Sequence, residues 1–567
     1  MRRAKIIGTL GPATSTVESI AALIRAGLNV ARVNMSHGSY EDHAAVIARV
    51  REASRVAGQE VAILMDLQGP KIRVARLAAP LQLTAGDTWV IGPEDRADNP
   101  PEAYRERYIP TTYRALVKDA TPGGRILFDD GLLEARALRV EDGLLVIEIV
   151  EGGELKSNKG INLPDSEVSA PTFTEKDRAD LEFGLANDVD YLAMSFVRRR
   201  SCVLQVKQLL HAKKRYLPII AKVERPEAVD NIEEICDVAD AIMIARGDMA
   251  VELGNQMVPP VQRRIIQMCR ARGKPVITAT QMLESMISHP RPTRAEASDV
   301  ANAIWDGSDA VMLSGETSVG RHPVEVVKMM DRIICQAERV SREFERRGAK
   351  PSSVSGATMM ASGFIASWVR APWILAFTRS GNSCWEISRS RPVAQVFGVA
   401  RSIGAVRRMC LFWGITPYLS EHYKDPNQVE DPVEESIEVM KSRGYLTNGD
   451  RLVITFGDSH LMTHGTSNAI RVEIVNDART ASARRDSHGH ELINEVVLLG
   501  QRIALDPVLC TSCQNCVKIC PHGVWVVTDD EHQFAHIDPS KAPECSLDME
   551  CIRVCPSKAI HIGPVAR

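Results

Sequence analysis

Cysteine is scarce over most of this 567-residue chain: six of the 13 cysteines are scattered through residues 1–509 and match no disulfide framework. Thiols so dispersed suit a reducing compartment, and the cytoplasm is the expected location. No apolar run approaches the ~18 residues of a membrane helix, so no membrane partner is expected. The start, Met1-Arg2-Arg3-Ala4-Lys5, lacks the long apolar stretch of a secretion signal. An excess of one charge is missing too. Lys plus Arg number 69 against 72 Asp plus Glu, a net of -3, which offers no basic field for nucleic acid. The Gly-x4-Gly-Lys-Ser/Thr phosphate loop is absent, so any nucleotide is held without it. There is no low-complexity tract and no heptad array.

Short apolar, β-rich runs alternate with amphipathic stretches over the first ~340 residues. The runs are Ala4–Leu10, Leu28–Asn34, Val61–Leu67, Val189–Phe196, Leu217–Val223, Asp240–Arg246, Pro275–Ala279 and Asp309–Ser314. Eight runs with helical patterns between most of them predict an α/β protein built on a (β/α)8 TIM barrel. Their continuous apolar character fits strands buried on both faces. One gap, residues 68–188, is too long for a helix. Its Gly-Asp, Pro-Gly-Gly and Glu-Asp-Gly turns between alternating segments predict an inserted small β-barrel acting as a lid. Ile374–Phe377, Val393–Val399 and Arg451–Thr455 predict a C-terminal open α/β domain. The expected boundaries are 1–72 with 168–345 for the barrel, 73–167 for the lid and 346–476 for a regulatory domain. A polar linker, 477–500, and a cysteine-rich α+β domain, 501–567, complete the chain.

Chemistry-bearing residues fall just after the expected barrel strands, where barrel active sites lie. They are Arg32, Asn34 and Ser36; Asp66; Lys222 and Glu224; Arg246, Gly247 and Asp248; Thr280; and Ser314, Gly315 and Glu316. Two carboxylates from different strands suit a hard divalent cation. Arginine forks and a lysine point charge suit phosphate. Together they form a set for phosphoryl transfer.

The chain resembles the pyruvate kinases over residues ~1–475. The resemblance is carried by Thr9–Thr14 (TLGPAT), Asn29–Gly38 (NVARVNMSHG), Ala221–Glu224 (AKVE), Ile244–Asp248 (IARGD), Ala279–Met286 (ATQMLESM), Arg291–Glu296 (RPTRAE) and Met312–Thr317 (MLSGET). It implies transfer of a phosphoryl group from phosphoenolpyruvate to ADP. It implies Lys222 as the group neutralising the transferred phosphoryl, and Glu224 and Asp248 as ligands of Mg²⁺ or Mn²⁺. Arg32 would contact phosphate, and Arg73 would help bind the substrates. The amides of Gly247 and Asp248, with Thr280, would bind the substrate carboxylate, and Thr280 would sit near the path protonating the enolate. Asn34 and His37 would line the substrate site, and Lys159 in the lid would reach the nucleotide. The family is usually tetrameric.

Many pyruvate kinases hold a monovalent cation at positions matching Asn34, Ser36, Asp66 and the carbonyl of Leu67, within a stretch resembling Asp-Thr-Lys-Gly-Pro-Glu. Here it reads Asp66-Leu67-Gln68-Gly69-Pro70-Lys71, the combination of the family's potassium-independent branch. The Lys71 ammonium would supply the charge that K⁺ brings, so K⁺ is not expected to be required. In the last part of the resemblance, Thr378-Arg379-Ser380-Gly381-Asn382-Ser383 matches the loop that cradles an effector phosphate. A second loop, 457–468, lacks the Trp and Arg that bind a second phosphate. A sugar monophosphate or AMP is therefore the expected effector.

The other seven cysteines crowd into residues 510–567. Cys510-x2-Cys513-x2-Cys516-x3-Cys520-Pro521 resembles the bacterial ferredoxin run, and Cys545-x5-Cys551-x3-Cys555-Pro556 resembles its second half. Asp548 stands where a middle cysteine would fall. One cluster would use Cys510, Cys513, Cys516 and Cys555, and the other Cys545, Cys551 and Cys520. Asp548 either ligates a [4Fe-4S] cluster or leaves a [3Fe-4S] cluster. Zinc is disfavoured, because structural zinc sites use two separated pairs. The expectation is a kinase fused to a dicluster ferredoxin-like domain, for redox sensing, docking to a redox protein partner or independent electron transfer.

Overall fold

The computed structural model describes residues 2–98, 100–340, 351, 353–420, 423, 432–457 and 467–475. Beyond these it describes parts of 484–564: 484–485, 491–492, 495–498, 501–505, 513–527, 535–537, 541, 550–556 and 560–564. The chain divides into two compact units. One holds Met1–Ser367, Ile374–Asn427 and Thr455–Ala469, and the other Trp368–Trp373, Gln428–Ile454 and Ile470–Arg567. Among the described residues no helix is long and apolar enough to cross a membrane.

The first unit is built on a closed, all-parallel barrel. Its strands in chain order are Lys5–Thr9, Val30–Asn34, Ala62–Asp66, Tyr191–Met194, Ile219–Val223, Ala241–Ala245, Val276–Ala279 and Ala310–Leu313. Every expected run contains one of them. Strand one pairs with strand eight (Lys5 with Ala310) and with strand two (Gly8 with Ala31), which closes the ring. Seven of the eight strands are buried at every residue, as parallel strands covered on both faces require. Ile7, Val30, Leu64, Ile220, Met243, Ile277 and Met312 fill the barrel interior, and Cys410 and Leu411 join this cluster from the following domain. The outer core lies between strands and helices such as Val17–Ala26, whose Ile20, Leu23 and Ile24 are buried. That helix is opened by a reciprocal Thr16–Ser19 cap, which satisfies free amides of its first turn.

The insertion forms a six-stranded sheet in the order Ile161–Asn162, Arg125–Phe128, Leu133–Glu141, Leu144–Glu151, Thr88–Pro93, Tyr108–Thr111, with a separate two-stranded ribbon. One edge strand has two residues and the other carries Pro110, which has no N–H to donate. Residues 72–75 fill the seam between these edges. Arg73 bridges Gly160, and Val74 bridges Thr111. The expected small barrel is thus closed by isolated bridges instead of a regular strand ladder.

After the barrel, Gln395–Ala400 pairs in parallel with Ile415–Leu419 and lies beside Trp373–Thr378. The strand Ile415–Leu419 was missed in the sequence, because its Ile-Thr-Pro-Tyr-Leu carries a proline. This layer packs on the end of the barrel where its strands begin. The Lys5 ammonium donates to the Ile415 carbonyl at 2.6 Å, and the Tyr191 hydroxyl to the Arg408 carbonyl at 2.6 Å.

In the second unit, Gln501–Leu505 pairs antiparallel with Ile560–Pro564, and Trp525–Val527 with Ala535–Ile537. Short helices Asn515–Ile519 and Glu550–Val554 lie between, giving the order β-α-β-β-α-β. Glu495–Leu498, within the segment read as linker, pairs with Gln501–Leu505 and extends this sheet. Leu505, Cys516, Val524, Trp525, Ala535, Ile537 and Ile560 form its core, with Cys520, Cys551 and Cys555 packed against it.

Candidate active site

The C-terminal ends of strands two, three, four and five converge on one ammonium group. Lys222 Nζ lies 2.9 Å from Glu224 Oε1 and 3.2 Å from Asp66 Oδ1, and it donates to Ser195 Oγ at 2.7 Å. Arg32 Nε donates to Asp66 Oδ2 at 2.7 Å, and its Nη1 to Thr9 Oγ1 at 2.9 Å. Asp66 and Glu224 are each 1% exposed. Carboxylates that deep demand partners. The Phe196 amide supplies one to Glu224 Oε2 at 2.7 Å. Asp66 Oδ1 faces Lys222 off the hydrogen-bond line and has no hydrogen-bond partner among the described residues.

Burial alone would depress the Lys222 ammonium, but Asp66 and Glu224 outweigh it and raise the group above its ordinary value. Burial pushes the Asp66 carboxyl up, yet Lys222 and Arg32 hold it below the usual range. Glu224 is raised, first by burial and then by Asp248, against the pull of Lys222. Asp248 raises Glu224 by like-charge repulsion, and both offer hard carboxylate oxygens. A glutamate and an aspartate of this kind fit a divalent ion that keeps waters and phosphate oxygens. Among the described residues no group of three or more His, Cys, Asp or Glu forms a complete protein cage for a metal. Mg²⁺ uses one or two carboxylates, which Glu224 and Asp248 could supply, with waters and phosphate oxygens.

The sixth and seventh strand ends form a second cluster. Arg246 is 7% exposed and pairs with Asp299 at 2.7 Å. Its Nη2 donates to the carbonyls of Thr280 at 2.6 Å and Gln281 at 3.1 Å. It therefore fixes the backbone rather than offering a free fork to phosphate. The clasp holds Thr280 and Gln281 in consecutive left-handed conformations, φ 67 and 52, which non-glycine residues rarely adopt. Thr280 Oγ1 accepts from the Gly247 amide at 2.9 Å. Gly247 and Asp248 open the helix Arg246–Leu253. At strand eight, Glu316 is fully buried and accepts from the amides of Ser314 at 2.7 Å and Leu283 at 3.1 Å. It too is structural.

Other expected residues lie around this centre. The Asn34 side-chain oxygen accepts from the Ser36 amide at 3.2 Å, and His37 is exposed on the same loop. The Leu67 carbonyl accepts from Ser195 Oγ at 2.7 Å. Lys71 lines a cavity with Asn162, Phe196, Arg225, Asp248 and Glu252. Arg73 and Lys159 sit in the lid seam. Arg73 donates to the Asn158 carbonyl at 2.8 Å, and Lys159 pairs with Asp129 at 2.8 Å. Neither touches Lys222. Ser195 and Phe196 escaped the sequence reading although they directly follow strand four. Their position was the available signal. Phe196 hid inside the apolar run, and Ser195 carries no charge.

Thr378–Ser383 joins the strand Trp373–Thr378 to the helix Asn382–Arg389. Thr378 Oγ1 accepts from the Gly381 amide at 3.0 Å, and Gly381 is left-handed at φ 95. Arg379 and Asn382 are exposed, while Ser380 and Ser383 are half-buried. Of the second effector loop, 458–466 lies outside the described residues, as do Cys510, Cys545 and Asp548. Cys513 is exposed, Cys516 buried, and Cys520, Cys551 and Cys555 half-buried.

A parallel barrel whose mouth gathers a buried lysine, an arginine and paired carboxylates defines a phosphotransferase. Residues 1–327 match the family described as pyruvate kinase, barrel domain, and residues 356–473 match pyruvate kinase, alpha/beta domain. The pyruvate kinase of Geobacillus stearothermophilus is 40% identical over 484 residues, covering 84% of this chain and 81% of that protein. That of Staphylococcus aureus (strain MRSA252) is 39% identical over 485 residues, with the same coverage. That of Staphylococcus epidermidis (strain ATCC 12228 / FDA PCI 1200) is 37% identical over 521 residues, covering 88% and 87%. The chain belongs to the pyruvate kinase family.

Proposed function

We propose that the chain transfers the phosphoryl group of phosphoenolpyruvate to ADP, with the Lys222 cluster as its centre. The observation that carries this is the ammonium held by Asp66, Glu224 and Ser195 in a buried setting, where a fixed charge acts most strongly. The enol-phosphate P–O bond breaks, a bond to the terminal ADP oxygen forms, and the enolate left behind takes a proton to give pyruvate. Lys222 and Arg32 stabilise charge on the transferring group. The Gly247 and Asp248 amides, with Thr280, orient the substrate carboxylate, and Thr280 stands by the enolate's proton path. A Mg²⁺ or Mn²⁺ ion on Glu224 and Asp248 would neutralise phosphate charge when bound. Arg73, Asn34 and His37 serve substrate binding, and Lys159 reaches the nucleotide when the lid closes and excludes water.

Lys71 replaces the monovalent cation, so turnover proceeds without K⁺. Its place in the cavity with Asp248 supports this reading. Turnover that is negligible in sodium-only buffer and restored by K⁺ would sink it. The loop Thr378–Ser383 binds a sugar monophosphate or AMP, read by calorimetric titration. The enzyme works in the cytoplasm, as a tetramer by family likeness. The domain boundaries are those given above, with the final domain's sheet starting at Glu495.

The tail carries two iron–sulfur clusters in a ferredoxin-like fold. The β-α-β-β-α-β order and the convergence of Cys516, Cys520, Cys551 and Cys555 on one small core support this. It serves redox sensing or docking to a redox partner; an independent electron carrier is the other reading. Anaerobic purification with EPR, and kinase assays on the same samples, separates these. Equal kinetics for oxidised, reduced and Cys510→Ser protein would exclude sensing.

A further inference from the structure

One helix start holds both chain stretches that carry the cation-site equivalents. Asp177, third residue of the helix Glu175–Ala186, is 1% exposed. Its Oδ2 accepts from the Thr174 amide at 2.9 Å and from Thr174 Oγ1 at 2.7 Å, completing a helix cap. Its Oδ1 accepts from the Gly69 amide at 3.1 Å. The neighbouring Lys176 donates to the Met35 carbonyl, between Asn34 and Ser36, at 2.9 Å. Lys176 is itself held by Asp180 Oδ2 at 2.7 Å, and Asp180 Oδ1 accepts from the Tyr40 hydroxyl at 2.8 Å. Asp180 is fully buried.

A cap needs none of this. Asp42 caps the helix Tyr40–Ala57 through Ser39 alone and stays exposed. Burying Asp177 instead spends its second oxygen on a turn far away in sequence. That turn cannot adjust freely. Gly69 is left-handed at φ 66, and a Cβ there would meet Phe196 at 2.9 Å and Ser195 at 3.0 Å. Its N–H direction is therefore fixed, two residues before Lys71. A lysine ammonium that could reach water is likewise tied to a backbone carbonyl.

We propose that Asp177 and Lys176 are positioning residues that keep the loops 34–38 and 66–71 in register, so that Lys71 can stand in for the monovalent cation. The inference rests in part on that reading of Lys71. The helix follows directly on the lid's return segment, whose Val168 and Ala170 carbonyls accept from Arg198.

The test uses the full-length enzyme in sodium and potassium buffers. Asp177→Ala should lower kcat roughly tenfold or more, the scale of a misplacement of about 1 Å, and should become activated by K⁺. Asp177→Asn, which keeps an acceptor for Gly69, should recover most of the rate. Thr174→Ala should lower the melting temperature but keep kcat and indifference to K⁺. If Asp177→Ala does not fold, Lys176→Met carries the comparison with the cap intact. A folded Asp177→Ala or Lys176→Met enzyme with wild-type kcat and no response to K⁺ overturns the proposal. A K⁺ requirement in the wild type would remove the Lys71 reading alone. The kcat difference between Asp177→Ala and Thr174→Ala, both at saturating K⁺, would still decide whether the clamp exists.

Discussion

Replacing Lys222 by methionine keeps most of the side-chain volume and removes one charge. Three partners lose it: Asp66, Glu224 and Ser195, all within 3.2 Å of the ammonium. Loss of one preorganised charge at a transferring group costs about 10²–10³ in kcat. Lys222→Met should therefore turn over at least a hundredfold more slowly, with a smaller change in substrate affinity. Stability should also fall, by ~3–5 kcal/mol, because two carboxylates stay buried with less compensation. That loss has a pH signature. Glu224 is already raised by burial and Asp248 and rises further without Lys222, while Asp66 loses one of the two cations that hold it down. Groups raised in the folded state take up protons there first, so the deficit of the variant grows as pH rises above the ordinary carboxylate range and narrows below it. Coupled pyruvate assays and chemical denaturation at several pH values read both effects. A folded Lys222→Met enzyme with kcat within about threefold of wild type would refute this electrostatic role.

Other perturbations have defined outcomes. Lys5 is buried under the α/β layer, and desolvation lowers its amine to about 8 from 10.5. Between those values the unfolded chain keeps a proton the folded chain has released, so wild-type stability should rise with pH there relative to Lys5→Met, as denaturation profiles will show. Cys202 lies at the start of the helix Arg200–Ala212. Burial raises its thiol, but Thr172 and the Arg198 and Arg199 backbone outweigh this and lower it. Burial pushes Cys384 and Cys410 up to about 12. Native alkylation at neutral pH should therefore label Cys202 and spare those two, as peptide mapping will show. Gly69→Ala should lower both the melting temperature and kcat, since its Cβ has no room beside Phe196 and Ser195.

Much of the barrel could be read from sequence because each strand is apolar on both faces and ends at a polar chemical residue. Arg32, Asp66, Lys222 and Glu224 follow that rule, and the structure brings them together. Composition could not tell which charged strand-end residues face substrate and which are consumed internally. Arg246 and Glu316 look like site residues in the chain, yet they are spent on backbone clasps that only the fold reveals. Ser195 and Asp177 show the converse. Their importance comes from partners 27 and 108 residues away, and no local pattern carries such a distance. The lid seam at 72–75 was equally hidden, because single bridges leave no alternation to detect.

The central claim is phosphoryl transfer at the Lys222 cluster, with the site's fixed positive charge supplied by the chain itself. The most direct measurement mixes purified full-length protein with phosphoenolpyruvate, ADP and Mg²⁺ in sodium-only buffer, and quantifies pyruvate and ATP. The account predicts both products in equal amounts, at a rate that added K⁺ does not raise and that Lys222→Met abolishes to the extent given above. Absence of both products from folded wild-type protein, with and without K⁺, would contradict it.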